Sequence, residues 1–138
     1  MHLKRDELEK ICTELLHDFD DILNWKWDER FDALLAEFPS ENIDAVQKVL
    51  DEHMTRTWDK KSIRKAPGAI RDQCGIFCDL RSSQLLFSSD PAGNVLVFAA
   101  WWPWGDGNRV SLRLASPDPD APPPEKKGIF SRIKGLFG

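Results

Sequence analysis

Cys74 and Cys78 stand in a C-x3-C arrangement, QCGIFC, with Cys12 and His17 as further candidate ligands elsewhere. Thiolates at close spacing can hold zinc, but a structural zinc site needs a second pair of ligands, and the usual knuckle spacing is C-x2-C. No second pair exists in the sequence. On a helix, residues 74 and 78 are i, i+4 neighbours, which predicts two small buried thiols and no metal. Three cysteines in 138 residues are an odd and sparse set. This predicts reduced thiols in a reducing compartment, without cross-links.

The run HDFDD, His17 to Asp21, offers a base beside carboxylates. His17 and Asp21 share a helix face, so a local ion pair accounts for them. No second acidic or histidine cluster is present to complete a two-metal or acid–base site. There is no G-x-S-x-G nucleophile elbow, Walker-type glycine loop or G-x-G-x-x-G. An enzyme is therefore not the leading expectation, and no cofactor is expected.

Aromatic chemistry is better represented, with six tryptophans and no tyrosine. Trp101, Trp102 and Trp104 in WWPWGDG sit where a strand leaves a sheet. Together they could form a platform for sugars, bases or a peptide proline, or they could close the end of a small core with Trp25, Trp27 and Trp58. The basic stretch RTWDKKSIRK suits a phosphate backbone in residue type, but the strongly acidic remainder of the domain repels a polyanion. Nucleic-acid binding is not expected; a solvated connection, or a patch facing anionic lipid or an acidic protein, is.

Charge is segregated along the chain. Residues 1–54 carry six Lys/Arg against fifteen Asp/Glu, residues 55–71 six against one, and residues 125–138 four against one, within a net charge of −4. An acidic face and two basic patches follow. The length and the hydrophobic content of 41% suffice for one core. No apolar run reaches the roughly 20 residues that cross a bilayer, and the first residues, MHLKRDELEK, carry no signal-peptide h-region. A cytoplasmic location is the expectation.

The elements that must position these residues are read from periodicity. Leu8, Cys12, Leu15, Phe19 and Leu23 draw one helical stripe across residues 3–23. Trp27, Phe31, Leu34, Leu35 and Phe38 repeat that spacing up to Pro39, predicting a second helix. Ser40 is placed as an N-cap for a third, carrying Ile43, Val46, Val49 and Leu50. A short fourth helix begins near Pro67. After Arg81 the period changes to two, predicting strands at QLLFSSD, NVLVFAAWWPW and RVSLRLA with turns at DPAGN and GDGN. The fold class is thus α+β: helices across residues 3–80 packed on a three-stranded antiparallel meander across 83–115. The middle strand is apolar on both faces, so its second face needs cover from helices on that side too, a partner protein, the tail, or a second copy in a homodimer.

From Ser116 the composition shifts to SPDPDAPPPEKK. The organisation expected is one domain at 1–115, a Pro/acid-rich semi-stiff linker at 116–125, and a basic amphipathic tail at 126–138. In the tail, Ile129, Phe130, Ile133, Leu136 and Phe137 gather on one side of a helix, with Lys126, Lys127, Arg132 and Lys134 on the flank and opposite side. This segment, Lys126 to Gly138, resembles the C-terminal membrane-targeting helices of Min-type division-site ATPases. The resemblance implies reversible contact with a membrane surface. That family's ATPase motifs are absent, so no ATPase activity is implied.

Magnitudes set the strength of such a contact. Eleven residues from Gly128 are too few for a stable isolated helix, and Gly135 costs about 1 kcal/mol relative to alanine. Each cation near an anionic membrane contributes about 1 kcal/mol. The tail alone attaches weakly, and firm attachment needs dimerisation or a second contact from the patch at residues 56–71. Two functional classes remain. One is a non-enzymatic adaptor that binds a protein and reaches an anionic membrane surface or second partner through its tail. The other is a secretion-chaperone or immunity-type protein whose acidic helical face binds a basic client.

Overall fold

A computed structural model describes residues 3–89 and 96–117. The first apolar stripe is present, but on a broken helix: α1 (Arg5–Ile11) and α2 (Thr13–Asp18) meet at Cys12, whose ψ of 18° leaves helical geometry. The break has a local cause. The Thr13 hydroxyl reaches back to the carbonyl oxygens of Lys10 at 2.8 Å and Glu9 at 3.1 Å, a competition with the backbone ladder that bends helices. Leu8, Cys12, Leu15, Phe19 and Leu23 are all buried.

The meander expectation is too small, although the α+β class stands. The sheet has six antiparallel strands: β1 (Lys26–Asp28), β2 (Ala33–Pro39), β3 (Arg56–Trp58), β4 (Leu85–Ser88), β5 (Phe98–Pro103) and β6 (Arg109–Ala115). Their order is β1-β2-β6-β5-β4-β3. The predicted second helix is instead the β1–β2 hairpin. Its apolar residues fit a three-to-four spacing and an alternation equally, because Leu34, Ala36 and Phe38 also lie two apart. Pairing decides between them: Leu34 faces Leu114 and Phe38 faces Val110 along the whole of β2. The turn uses Asp28, whose carboxylate accepts the Arg30 amide at 3.0 Å, and Asp32, which adopts φ 50° as aspartate can.

The third helix, α3 (Ile43–His53), follows a 3-10 turn at Ser40–Asn42, and Ser40 does not cap it. Its hydroxyl donates instead to the Gly107 carbonyl, across the mouth of the β5–β6 hairpin. In that hairpin Gly107 takes φ 75° and Asp106 accepts the Asn108 amide. Pro103 is tolerated because β4 begins at Leu85 opposite Trp101, so β5 has lost its β4 neighbour by residue 103. The predicted DPAGN turn falls at residues 90–94, and the linker and tail beyond residue 117, outside the described residues.

Two cores lie on the two sides of the sheet. On one, α1, α2 and α3 cover Leu34, Phe38, Phe87, Ala99, Trp101, Leu112 and Leu114. On the other, residues 59–80 bury Ile63, Ala66, Ile70, Cys74, Phe77 and Leu80 against Leu86, Phe98, Ala100 and Ala115. This second layer holds the fourth helix, α4 (Gly68–Arg71), between 3-10 turns at Ser62–Lys65 and Gly75–Cys78. Cover for the second face therefore comes from the chain itself.

Candidate interaction surface

The three clustered tryptophans part company in the fold. Trp101 points into the helix-covered core, 5.5 Å from the Phe38 ring and 5.9 Å from Phe87. Trp102 points to the opposite face, with Phe31 at 5.5 Å and Phe77 at 5.9 Å. Trp104 is 41% exposed, beyond the end of β5, where its indole N–H donates to Ser111 and Arg109 lies over its ring. The strand period of two withdraws Trp101 from its neighbours, while Trp102 and Trp104 stay on one face, the Trp104 indole bonding Ser111, the β6 partner of Trp102.

What gathers beside Trp102 is a charge. The Arg113 guanidinium lies 4.7 Å from the ring centroids of both Phe31 and Trp102, and its Nε donates to Asp28 at 3.0 Å. Both side chains are largely buried, at 9% and 14% exposure. The cluster fastens β1 and its turn to β6, with Phe77 of the second layer against Phe31 and Trp102. Neither Arg113 nor Asp28 is marked as a site residue by the sequence motifs. An arginine alternating with leucines, and a carboxylate next to a tryptophan, were the available signals.

The second layer presents the basic patch. Asp59 starts it by accepting the amides of Lys61 at 3.0 Å and Ser62 at 2.8 Å, while the Ser62 hydroxyl accepts the Asp59 amide. Hydrogen bonding from Ser62, backbone first and then side chain, holds the Asp59 carboxyl below its ordinary range. With Ile63, Ala66 and Ile70 turned into the core, Lys60, Lys61, Arg64, Lys65 and Arg71 are exposed. Arg56 on β3 and Arg81 after the layer are exposed as well. Within residues 56–81 these seven cations stand against three acids, Asp59, Asp72 and Asp79, a net of plus four. Ile76, at 58% exposure, is an apolar residue on the same layer.

The opposite layer is acidic. Residues 3–24 and 41–54 hold eleven Asp/Glu against four Lys/Arg. Asp18, not Asp21, takes a histidine partner, with His53 Nε2 at 2.6 Å joining the ends of α2 and α3. His17 lines a hollow with Thr13, Glu14, Asp18 and His53, and neither Asp21 nor Cys12 joins it. A neighbouring cleft of about 550 Å³ lies between Ile11, Thr13, His53, Met54 and Val97. Cys12 borders it, but burial pushes its thiol up to about 12, so it supplies no nucleophile. Among the described residues no group of His, Cys, Asp or Glu is placed to hold a metal ion, and no helix is long and apolar enough to cross a membrane.

Cys74 and Cys78 lie across a turn in which Gly75 takes φ 54°, with Cα atoms 5.5 Å apart, within the span a disulfide bridges. The tail residues Ile129, Phe130, Arg132, Ile133, Lys134, Leu136 and Phe137 lie outside the described residues. No protein-family model, curated protein or solved structure matches this chain.

Proposed function

We propose that this protein is a non-enzymatic cytoplasmic adaptor that binds a protein partner and contacts an anionic membrane surface reversibly. The observation that carries the reading is the basic layer. Seven exposed cations and the exposed Ile76 occupy the side of the sheet opposite the acidic helices. An apolar side chain among cations is the composition that anionic lipid attracts. The tail, whose spacing would gather five apolar residues on one side of a helix with cations beside them, supplies the second contact. Two weak attachments on one chain act together through effective concentration, and recruitment stays reversible because neither is strong alone.

Sedimentation with vesicles tests this. The full chain is expected to pellet with phosphatidylserine-containing vesicles and not with neutral ones. A chain ending at Ala121, and a full chain carrying Lys60→Glu, Lys61→Glu, Arg64→Glu and Lys65→Glu, should each pellet less. Equal pelleting by all three would remove the membrane from the reading.

The acidic helical layer favours a second reading, a chaperone or immunity-type protein that covers a basic client. Purification of the full chain from its native cells separates the two: membrane components support the adaptor, and one basic client in stoichiometric amount supports the alternative.

A further inference from the structure

Cys74 and Cys78 differ in the property that matters most for sulfur chemistry. Cys74 is fully buried against the second face, whereas Cys78 is only partly covered. A Cα separation of 5.5 Å lies within the span a disulfide bridges, so the backbone of the layer can accept one. Both sulfurs also sit near one acceptor, the Arg71 carbonyl oxygen, at 3.8 Å and 3.9 Å. Three residues separate the cysteines, so closing the loop removes little chain entropy from the unfolded state. A bond that contributes little to global stability can be made and broken while the layer stays folded.

We propose that Cys74 and Cys78 are a reversible thiol–disulfide exchange site, in which Cys78 reacts with a low-molecular-weight disulfide of the glutathione class and Cys74 resolves the adduct. In the reduced chain the Cys78 thiol loses its proton to solvent, and its thiolate attacks one sulfur of glutathione disulfide. The sulfur–sulfur bond of that reagent breaks, a Cys78–glutathione bond forms, and one glutathione thiolate leaves and is protonated. Cys74 then loses its proton and attacks the Cys78 sulfur, expelling the second glutathione thiolate. Two protein thiols are oxidised by two electrons, and one glutathione disulfide is reduced to two glutathiones. Excess glutathione runs the sequence backwards, entering at the accessible sulfur, Cys78. The order follows from access, since the reagent cannot reach Cys74 first. Cys12, across the sheet and without a sulfur partner, is an internal control.

The test uses the full chain, reduced, equilibrated with glutathione and glutathione disulfide at graded ratios, acid-quenched, and alkylated with N-ethylmaleimide in denaturant. Intact mass should move from three maleimides to one as the mixture becomes oxidising, the survivor being Cys12. Peptide mapping should find the 74–78 disulfide. Cys74→Ser should trap one glutathione on Cys78, and Cys78→Ser should take up none. Three maleimides at every ratio would overturn the proposal, as would glutathione on Cys74 in the Cys78→Ser chain. A disulfide that survives excess glutathione in the native protein would also overturn it, marking a structural bond. The wild-type titration decides even if a serine variant does not fold.

Discussion

Removing the Asp28 carboxylate is the perturbation whose cost the structure defines best. Asp28→Ala leaves the Arg113 side chain, 9% exposed, without the carboxylate to which it donates at 3.0 Å. Breaking a buried pair from one side costs about 3–5 kcal/mol, because the remaining charge is desolvated and uncompensated. Phe31 and Trp102, both 4.7 Å from the guanidinium, remain in place and offset about 1 kcal/mol of that. The expected loss is about 3 kcal/mol, or about 10 °C in Tm for a chain of this size. Asp28→Ala with Arg113→Met should be no worse than Asp28→Ala alone. The charge is then gone, and a thioether packs well between two rings. Urea unfolding followed by tryptophan fluorescence, on both single variants and the double, gives the coupling, expected at about 2 kcal/mol or more. High salt should change it little, since a buried pair is poorly screened. Additive single effects, or an Asp28→Ala cost below about 1 kcal/mol, would reduce the pair to an ordinary surface contact.

The split of the tryptophans gives a second expectation. Trp101→Ala should cost about 3–5 kcal/mol in urea unfolding as a buried aromatic, whereas Trp104→Ala, half exposed and held by one hydrogen bond to Ser111, should cost about 1 kcal/mol. Cys12 sets an alkaline limit. Its thiol ionises at about 9.0 when unfolded and about 12 when folded, so the unfolded chain binds fewer protons between those values and stability falls as pH rises. At pH 10 the loss is about 1.4 kcal/mol, and Cys12→Ala should flatten the pH dependence of the urea midpoint above pH 9. Gly75→Ala should lower Tm by about 4 °C, through the cost of about 1 kcal/mol for alanine at φ 54°. No atom lies within 4 Å of the added methyl, so no packing loss adds to it.

Legibility in the sequence followed how local each cause was. The stripe from Leu8 to Leu23, the α3 helix and strands β4 to β6 were readable because their periods are unambiguous over many residues. The hairpin of β1 and β2 was not. Leu34 and Phe38 satisfy both periods, and the deciding partner, β6, lies seventy or more residues away. β3 was hidden for the same reason, being three residues long inside a basic run and defined by Leu86 to Ser88. The basic patch was legible as composition, but its placement opposite the acidic helices required knowing which face residues 59–80 cover. Arg113 was unreadable as an anchor because Asp28, Phe31 and Trp102 come to it from two other strands and a turn.

The sheet is also a spacer between charges of opposite sign. With a layer packed about 10 Å from each of its faces, the basic and acidic surfaces stand about 20 Å apart. Screening at physiological ionic strength decays over about 8 Å. A charged plane that meets the basic layer feels those cations at full strength and the acidic helices hardly at all. Net charge is then the wrong quantity for judging what this chain approaches, and its value of −4 bars no negative partner. On the proposed membrane-contacting role, such a separation of charge would turn the domain so that its helices face away from an anionic surface.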